Sequence, residues 1–88
     1  MLSKTAQVNN KLGFHLRAVS VIVQTALKYR ATVTLAKDLR KRNGRSVFDL
    51  MLLEASPGTT LTIEVDGVDE SEAMDAILKL FKSNFGED

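Results

Sequence analysis

Residues Leu61–Asp66, reading LTIEVD, alternate strictly: Leu61, Ile63 and Val65 are apolar, and Thr62, Glu64 and Asp66 are polar. Successive side chains on a strand point to opposite faces, so this spacing predicts a strand with one face on a core and the other in water. The sheet that holds it is then covered on one side only.

The other segments fit around such a sheet. Met1–Val8 alternates more loosely, with Leu2, Ala6 and Val8 as inward residues. Val19, Ile22, Val23, Ala26 and Leu27 recur at helical spacing and predict an amphipathic helix. Thr32–Ala36 reads as a strand with Val33 and Leu35 inward. Leu39–Asn43 reads as a short, mostly basic partner strand closed by the Asn43-Gly44 turn. Ser46–Glu54 predicts a short helix stopped by Ser56-Pro57-Gly58, and Ala73, Ile77, Leu80 and Phe81 mark a long final helix. The order is βαββαβα. Few helices against four short strands predict an α/β (α+β) two-layer sandwich.

A chain of 88 residues supports one core, so residues 1–88 are read as a single domain. Apolar residues at 44% and charged residues at 26% exclude a disordered chain. No apolar run reaches membrane-spanning length and no signal-peptide pattern opens the chain, so no membrane insertion and a cytoplasmic location are expected. Without cysteine there is neither a disulfide framework nor a thiolate metal site, and one histidine leaves no ligand set, so no metal and no cofactor are expected. The net charge of +1 gives no global pull toward nucleic acid, although Lys37, Arg40, Lys41, Arg42 and Arg45 crowd one stretch.

That one histidine, His15, lies in GFHLRAVS (Gly13–Ser20), where the first helix should begin. The other two helices start on recognisable capping boxes, Ser46-Val47-Phe48-Asp49 and Asp69-Glu70-Ser71-Glu72. The first has neither device, and no acidic residue occurs from Gly13 to Leu27. Its free amides and positive dipole end then lie beside the His15 imidazole and the Arg17 guanidinium, which are the parts of a phosphate site. An imidazole so placed is also a competent nucleophile toward a phosphoryl donor. Spacing alone leaves a second reading open, in which His15 is a surface residue or a weak cap.

GFHLRA resembles the G-(L/I/F)-H-A-R-P signature of the HPr family, the histidine-containing phosphocarriers of the bacterial phosphotransferase system. NGRSVFDLMLLEASPGTTLTIEVDGVDESEAMDAILKLF resembles that family's second half. The resemblance implies an open-faced sandwich, a four-stranded antiparallel sheet with three helices on one face. It further implies that His15 accepts a phosphoryl group from enzyme I and passes it to a sugar-specific acceptor subunit, without independent turnover. Arg17 and the backbone amides of Leu16 and Arg17 would cradle the phosphate. Two departures adjoin the site: Ala18 stands where the family has proline, and Leu16 where it has a small residue. The first is expected to loosen the helix start and the second to alter partner choice. Asp38-Leu39 also replaces a glycine common after the second strand.

Ser46 matches the position phosphorylated in many family members by HPr kinase/phosphorylase, and its role as an N-cap explains the same serine. Arg40, Arg42 and Arg45 are either contacts for a phosphate there or a solvated hairpin. If Val47, Leu50 and Leu53 face the core, then Phe48, Met51 and Leu52 cannot all be buried. They either dock enzyme I or pack under the last helix. Asp49 departs from a commonly basic position. An alternative function is that of a regulatory HPr-like paralogue that binds and modulates an enzyme or transcription factor. Nucleic-acid binding by Arg40–Arg45 ranks below both, because no aromatics interleave the basic residues. A monomer is expected.

Overall fold

The computed structural model describes residues 1–87. Its elements are β1 (Leu2–Gln7), α1 (Leu16–Ala26), β2 (Thr32–Lys37), β3 (Arg40–Asn43), α2 (Val47–Met51), β4 (Thr60–Asp66) and α3 (Glu70–Lys82), followed by a 3₁₀ turn at Asn84–Gly86. The order βαββαβα is as the sequence predicts. The strands form one antiparallel sheet in the order β1-β4-β2-β3.

The alternating segment sits between β1 and β2, and its register explains the two layers. Val65 pairs with Leu2 and Val33, Ile63 with Lys4 and Leu35, and Leu61 with Ala6. Pairing at period two therefore collects the aliphatic residues of three strands on one face. Leu61, Ile63, Val65 and Leu35 are fully buried there beneath the helices. The opposite face carries Thr34, Thr62 and Glu64, and Lys41 reaches across β2 to the Glu64 carboxylate at 3.3 Å.

α1 buries Ala18, Val19, Ile22, Val23 and Ala26. Leu27 does not join that stripe, contrary to the sequence expectation. It is the C-cap, where the chain leaves the core, and it is 54% exposed. α2 is shorter than predicted. It ends at Met51, and Glu54 adopts a left-handed φ of 50°, which a right-handed helix cannot continue through. The stop thus comes before Ser56-Pro57-Gly58. α3 buries Ala73, Met74, Ile77 and Phe81, with Leu80 only half-buried.

Neither capping box closes as drawn from the sequence. Ser46 Oγ accepts the Asp49 amide at 3.2 Å, but the Asp49 carboxylate accepts the Asn43 amide instead of returning to Ser46. Asp69 makes no side-chain cap at all. Its two oxygens accept the amides of Arg30 and Ala31, each at 2.8 Å, and so tie the loop after α1 to the start of α3. Those bonds, Arg30's foremost, hold the Asp69 carboxyl below the usual aspartate value. Glu70 in turn accepts the Gly67 amide and pairs with the Met1 amino group at 3.0 Å. Carboxylates near a helix start are drawn to whichever unsatisfied amides lie closest, and here a neighbouring loop supplies them.

Candidate functional site

The loop from β1 to α1 places the histidine. Gly13 has φ +66°, and a Cβ built on it would lie 2.5 Å from the Ala55 carbonyl oxygen. That close approach lets Phe14 N–H donate to Ala55 O at 2.8 Å and drives the Phe14 ring into the core. Asn10 Nδ2 donates to Gly13 O at 2.7 Å and pins the same turn from the other side. His15 follows as the N-cap of α1, with extended φ −89° and ψ 171°, and its side chain makes no cap bond.

The first helical hydrogen bond runs from Val19 N–H to His15 O at 3.0 Å. The amides of Leu16, Arg17 and Ala18 therefore have no helical acceptor, and the first turn holds no acidic residue. This is the uncapped start that the sequence predicts. The helix begins at Leu16 despite the missing proline, with Ala18 fully buried in its first turn. Leu16 points into solvent at 63% exposure.

The structure adds an acidic partner that sequence reading missed. After α3, Asn84, Phe85 and Gly86 all take positive φ, at 52°, 58° and 80°, and the chain turns back toward α1. Phe85 anchors the turn. Its ring is buried edge-on to Phe81, with centroids 5.0 Å apart, and to Phe14 at 6.0 Å. Glu87 then brings one carboxylate oxygen onto His15 Nε2 and the other to Asn10 Nδ2 at 3.2 Å. Both side chains are half-buried. The His15 hydrogen bond, with help from Asn10 and Arg17, holds the Glu87 carboxyl below the usual glutamate value. Among the described residues Asn10 is the one buried polar side chain, and its two amide hydrogens serve Gly13 and Glu87. No periodicity marks Asn10 or Glu87. The only sequence hint is a lone phenylalanine beyond the end of the helical stripe.

The other predicted site residues lie on α2 or at its two caps, and α2 packs beside α1. Leu50 and Leu53 are fully buried, while Phe48 is 72% exposed and Met51 and Leu52 are about half as exposed. Phe48 is thus not packed under α3, whereas Met51 and Leu52 are partly covered. Ser46 Oγ caps α2. The basic stretch does not form one patch. Lys41 lies on the open sheet face with Glu64, whereas Lys37 donates to Leu53 O at 3.4 Å on the helix side. A groove of about 540 Å³ along β1 and α3 is lined by Lys4, Gln7, Asp75, Lys79 and Lys82 among others, and by none of the predicted site residues. Among the described residues no cluster of three potential metal ligands occurs, and no helix is long and apolar enough to cross a membrane.

Taken together, the helix start offers a histidine at its N-cap, backbone amides without helical acceptors and an arginine near enough to act on Glu87, with one ring nitrogen held by that carboxylate. Such a site can bind an anion, and can bond covalently to an electrophilic phosphorus. Comparison with known proteins gives the same direction. The family described as "PTS HPr component phosphorylation site" matches residues 2–83. The phosphocarrier protein HPr of Xylella fastidiosa is 43% identical over 88 residues, covering 100% of this chain and 99% of the relative. That of Neisseria meningitidis is 41% identical over 87 residues, covering 99% and 98%. The crystal structure of HPr-C-His from Thermoanaerobacter tengcongensis superposes with a TM-score of 0.96 at 36% identity, covering 100% of this chain and 99% of that one.

Proposed function

The chain belongs to the HPr family of phosphotransferase-system phosphocarriers, and from that premise we propose that His15 accepts a phosphoryl group from enzyme I and passes it to a sugar-specific acceptor subunit. The observation that carries this reading is the uncapped start of α1 at His15, which leaves the Leu16 and Arg17 amides without helical acceptors. With Nε2 held by Glu87, the nitrogen left with a lone pair is Nδ1. Nδ1 attacks the phosphorus as the bond to the donor breaks. The amides and the guanidinium then take up the negative charge of the phosphoryl oxygens. Transfer to the acceptor runs the same path in reverse, and the electron pair of the P–N bond returns to Nδ1. The protein carries the group and completes no turnover by itself.

The exposed Phe48, Met51 and Leu52 form the docking surface in this reading, where apolar area beside the reactive ring is covered only while a partner is bound. Ser46 is the regulatory site, modified by an HPr kinase/phosphorylase. A phosphate on its oxygen keeps the Asp49 amide within reach and is favoured by the helix dipole, while the adjacent Asp49 carboxylate opposes it. Modification there changes the charge of the docking face without unwinding α2.

One observation favours a second reading, a regulatory paralogue that binds an enzyme or transcription factor: the residue that follows His15, Leu16, exposes an apolar side chain to solvent. Incubation with enzyme I and labelled phosphoenolpyruvate separates the two. The phosphocarrier takes up acid-labile label rapidly, Arg17→Ala takes it up slowly, and His15→Ala takes up none. Slow labelling of the wild type together with tight binding of a partner that accepts no phosphate would favour the paralogue.

A further inference from the structure

We propose that Glu87 is a positioning residue for transfer at His15: its carboxylate holds a proton on Nε2 through both halves of the reaction, which confines the phosphoryl group to Nδ1 and lets the ring depart neutral. The inference rests on the phosphocarrier reading in taking His15 as the residue that carries phosphate. It goes beyond that reading in giving the C-terminal segment a chemical role.

The contact is built, not incidental. Three consecutive residues in the left-handed region, two of them non-glycine, are needed to turn the chain back after α3. A non-glycine residue is strained in that region, and the burial of Phe85 against Phe14 and Phe81 holds the turn. Asn10, which is 2% exposed, fixes the carboxylate from behind while binding the carbonyl of Gly13, two residues before His15. The buried Asn10 amide thus ties the histidine loop to the tail alongside the His15–Glu87 and Phe14–Phe85 contacts.

The chemistry follows from the charges. When Nδ1 bonds to phosphorus, the ring becomes an imidazolium with its remaining proton on Nε2. A carboxylate on that proton stabilises the cation at the moment it forms. When the acceptor attacks, the P–N bond breaks and its electron pair goes to Nδ1. The ring leaves as neutral imidazole, still protonated at Nε2. Were that proton lost, the ring would have to leave as imidazolate, a far poorer leaving group. No proton moves in either direction while Glu87 stays in place. Among the described residues, those that act on the Glu87 carboxyl are His15, Asn10 from the loop after β1 and Arg17 from α1.

The test loads the ring chemically with phosphoramidate, so that it does not depend on enzyme I, and compares wild type with Glu87→Ala and Glu87→Gln. Wild type should take phosphate at Nδ1 alone, read by phosphorus NMR, whereas Glu87→Ala should give a mixture of Nδ1 and Nε2 adducts. The Nδ1 adduct of wild type should also hydrolyse faster at neutral pH than that of either variant, on the order of tenfold, because a charge-assisted hydrogen bond from Nε2 stabilises the cationic ring from which the phosphoryl group departs. Glu87→Gln keeps an acceptor without the charge, so it should retain more of the positional selectivity while losing the lability. If Glu87→Ala disturbs folding, the glutamine variant alone carries the comparison of lability. Selective loading and wild-type lability across the pH range in both variants would overturn the proposal. Failure of enzyme I to label wild type would instead overturn the phosphocarrier reading and leave this comparison intact.

Discussion

Replacing Gly13 by alanine tests how the loop aims His15, and the structure sets the size of the effect. At φ +66° an alanine backbone loses about 1–2 kcal/mol relative to a right-handed conformation. The new methyl would also meet Ala55 O at 2.5 Å, with Pro57 Cδ and Ser56 Cα both at 3.1 Å, so one side of the loop must move. The movement lengthens Phe14 N–H to Ala55 O and Asn10 Nδ2 to Gly13 O, each worth about 1 kcal/mol net. The sum is a loss of about 3–4 kcal/mol in urea unfolding. Gly58→Ala provides the internal control. Gly58 also has positive φ, at 93°, but nothing lies near its added Cβ, so that variant should lose only the backbone part, about 1–2 kcal/mol. Because His15 is two residues beyond Gly13, Gly13→Ala should also slow labelling by enzyme I, whereas Gly58→Ala should not. Equal losses in the two variants, with labelling unchanged in both, would refute the steric argument.

Three further outcomes are expected. Phe85→Ala removes the anchor of the C-terminal turn and should cost about 3 kcal/mol by urea unfolding, while freeing His15 Nε2 from Glu87 as read by nitrogen NMR of the ring. The Asp69 carboxyl titrates lower in the folded chain than in the unfolded one, so the stability it contributes is complete above its ordinary value of 3.8 and is lost as pH falls through the lower folded value. Urea midpoints measured down through that range should therefore drop more steeply for wild type than for Asp69→Asn. Ser46→Ala should cost about 1 kcal/mol through loss of the α2 cap, and should leave labelling at His15 intact.

Period-two alternation in β4 was enough to place three aliphatic residues on the core face, because strand geometry fixes which side each residue takes. The stripe of α1 was legible for the same kind of reason, and it failed only at Leu27, where the helix ends and periodicity no longer says where a side chain points. Capping boxes were less reliable. The sequence shows which residues can accept an amide but not which amides the fold will bring near, and Asp69 found Arg30 and Ala31 from 39 and 38 positions upstream. The candidate site divides in the same way. His15, Arg17 and the free amides are contiguous and could be read from one short motif. Glu87 reaches His15 across 72 positions, through a turn that needs three positive φ values and a buried ring, and no local pattern encodes such a contact.

The central claim is that phosphate is carried on His15. Mass spectrometry of peptides from the chain after incubation with enzyme I and phosphoenolpyruvate, under alkaline conditions that preserve phosphoramidates, measures it most directly. The account predicts a single added phosphoryl group on the peptide holding His15, lost on brief acid treatment and absent from His15→Ala. A phosphoryl group on any other residue, or equal labelling of His15→Ala, would contradict it.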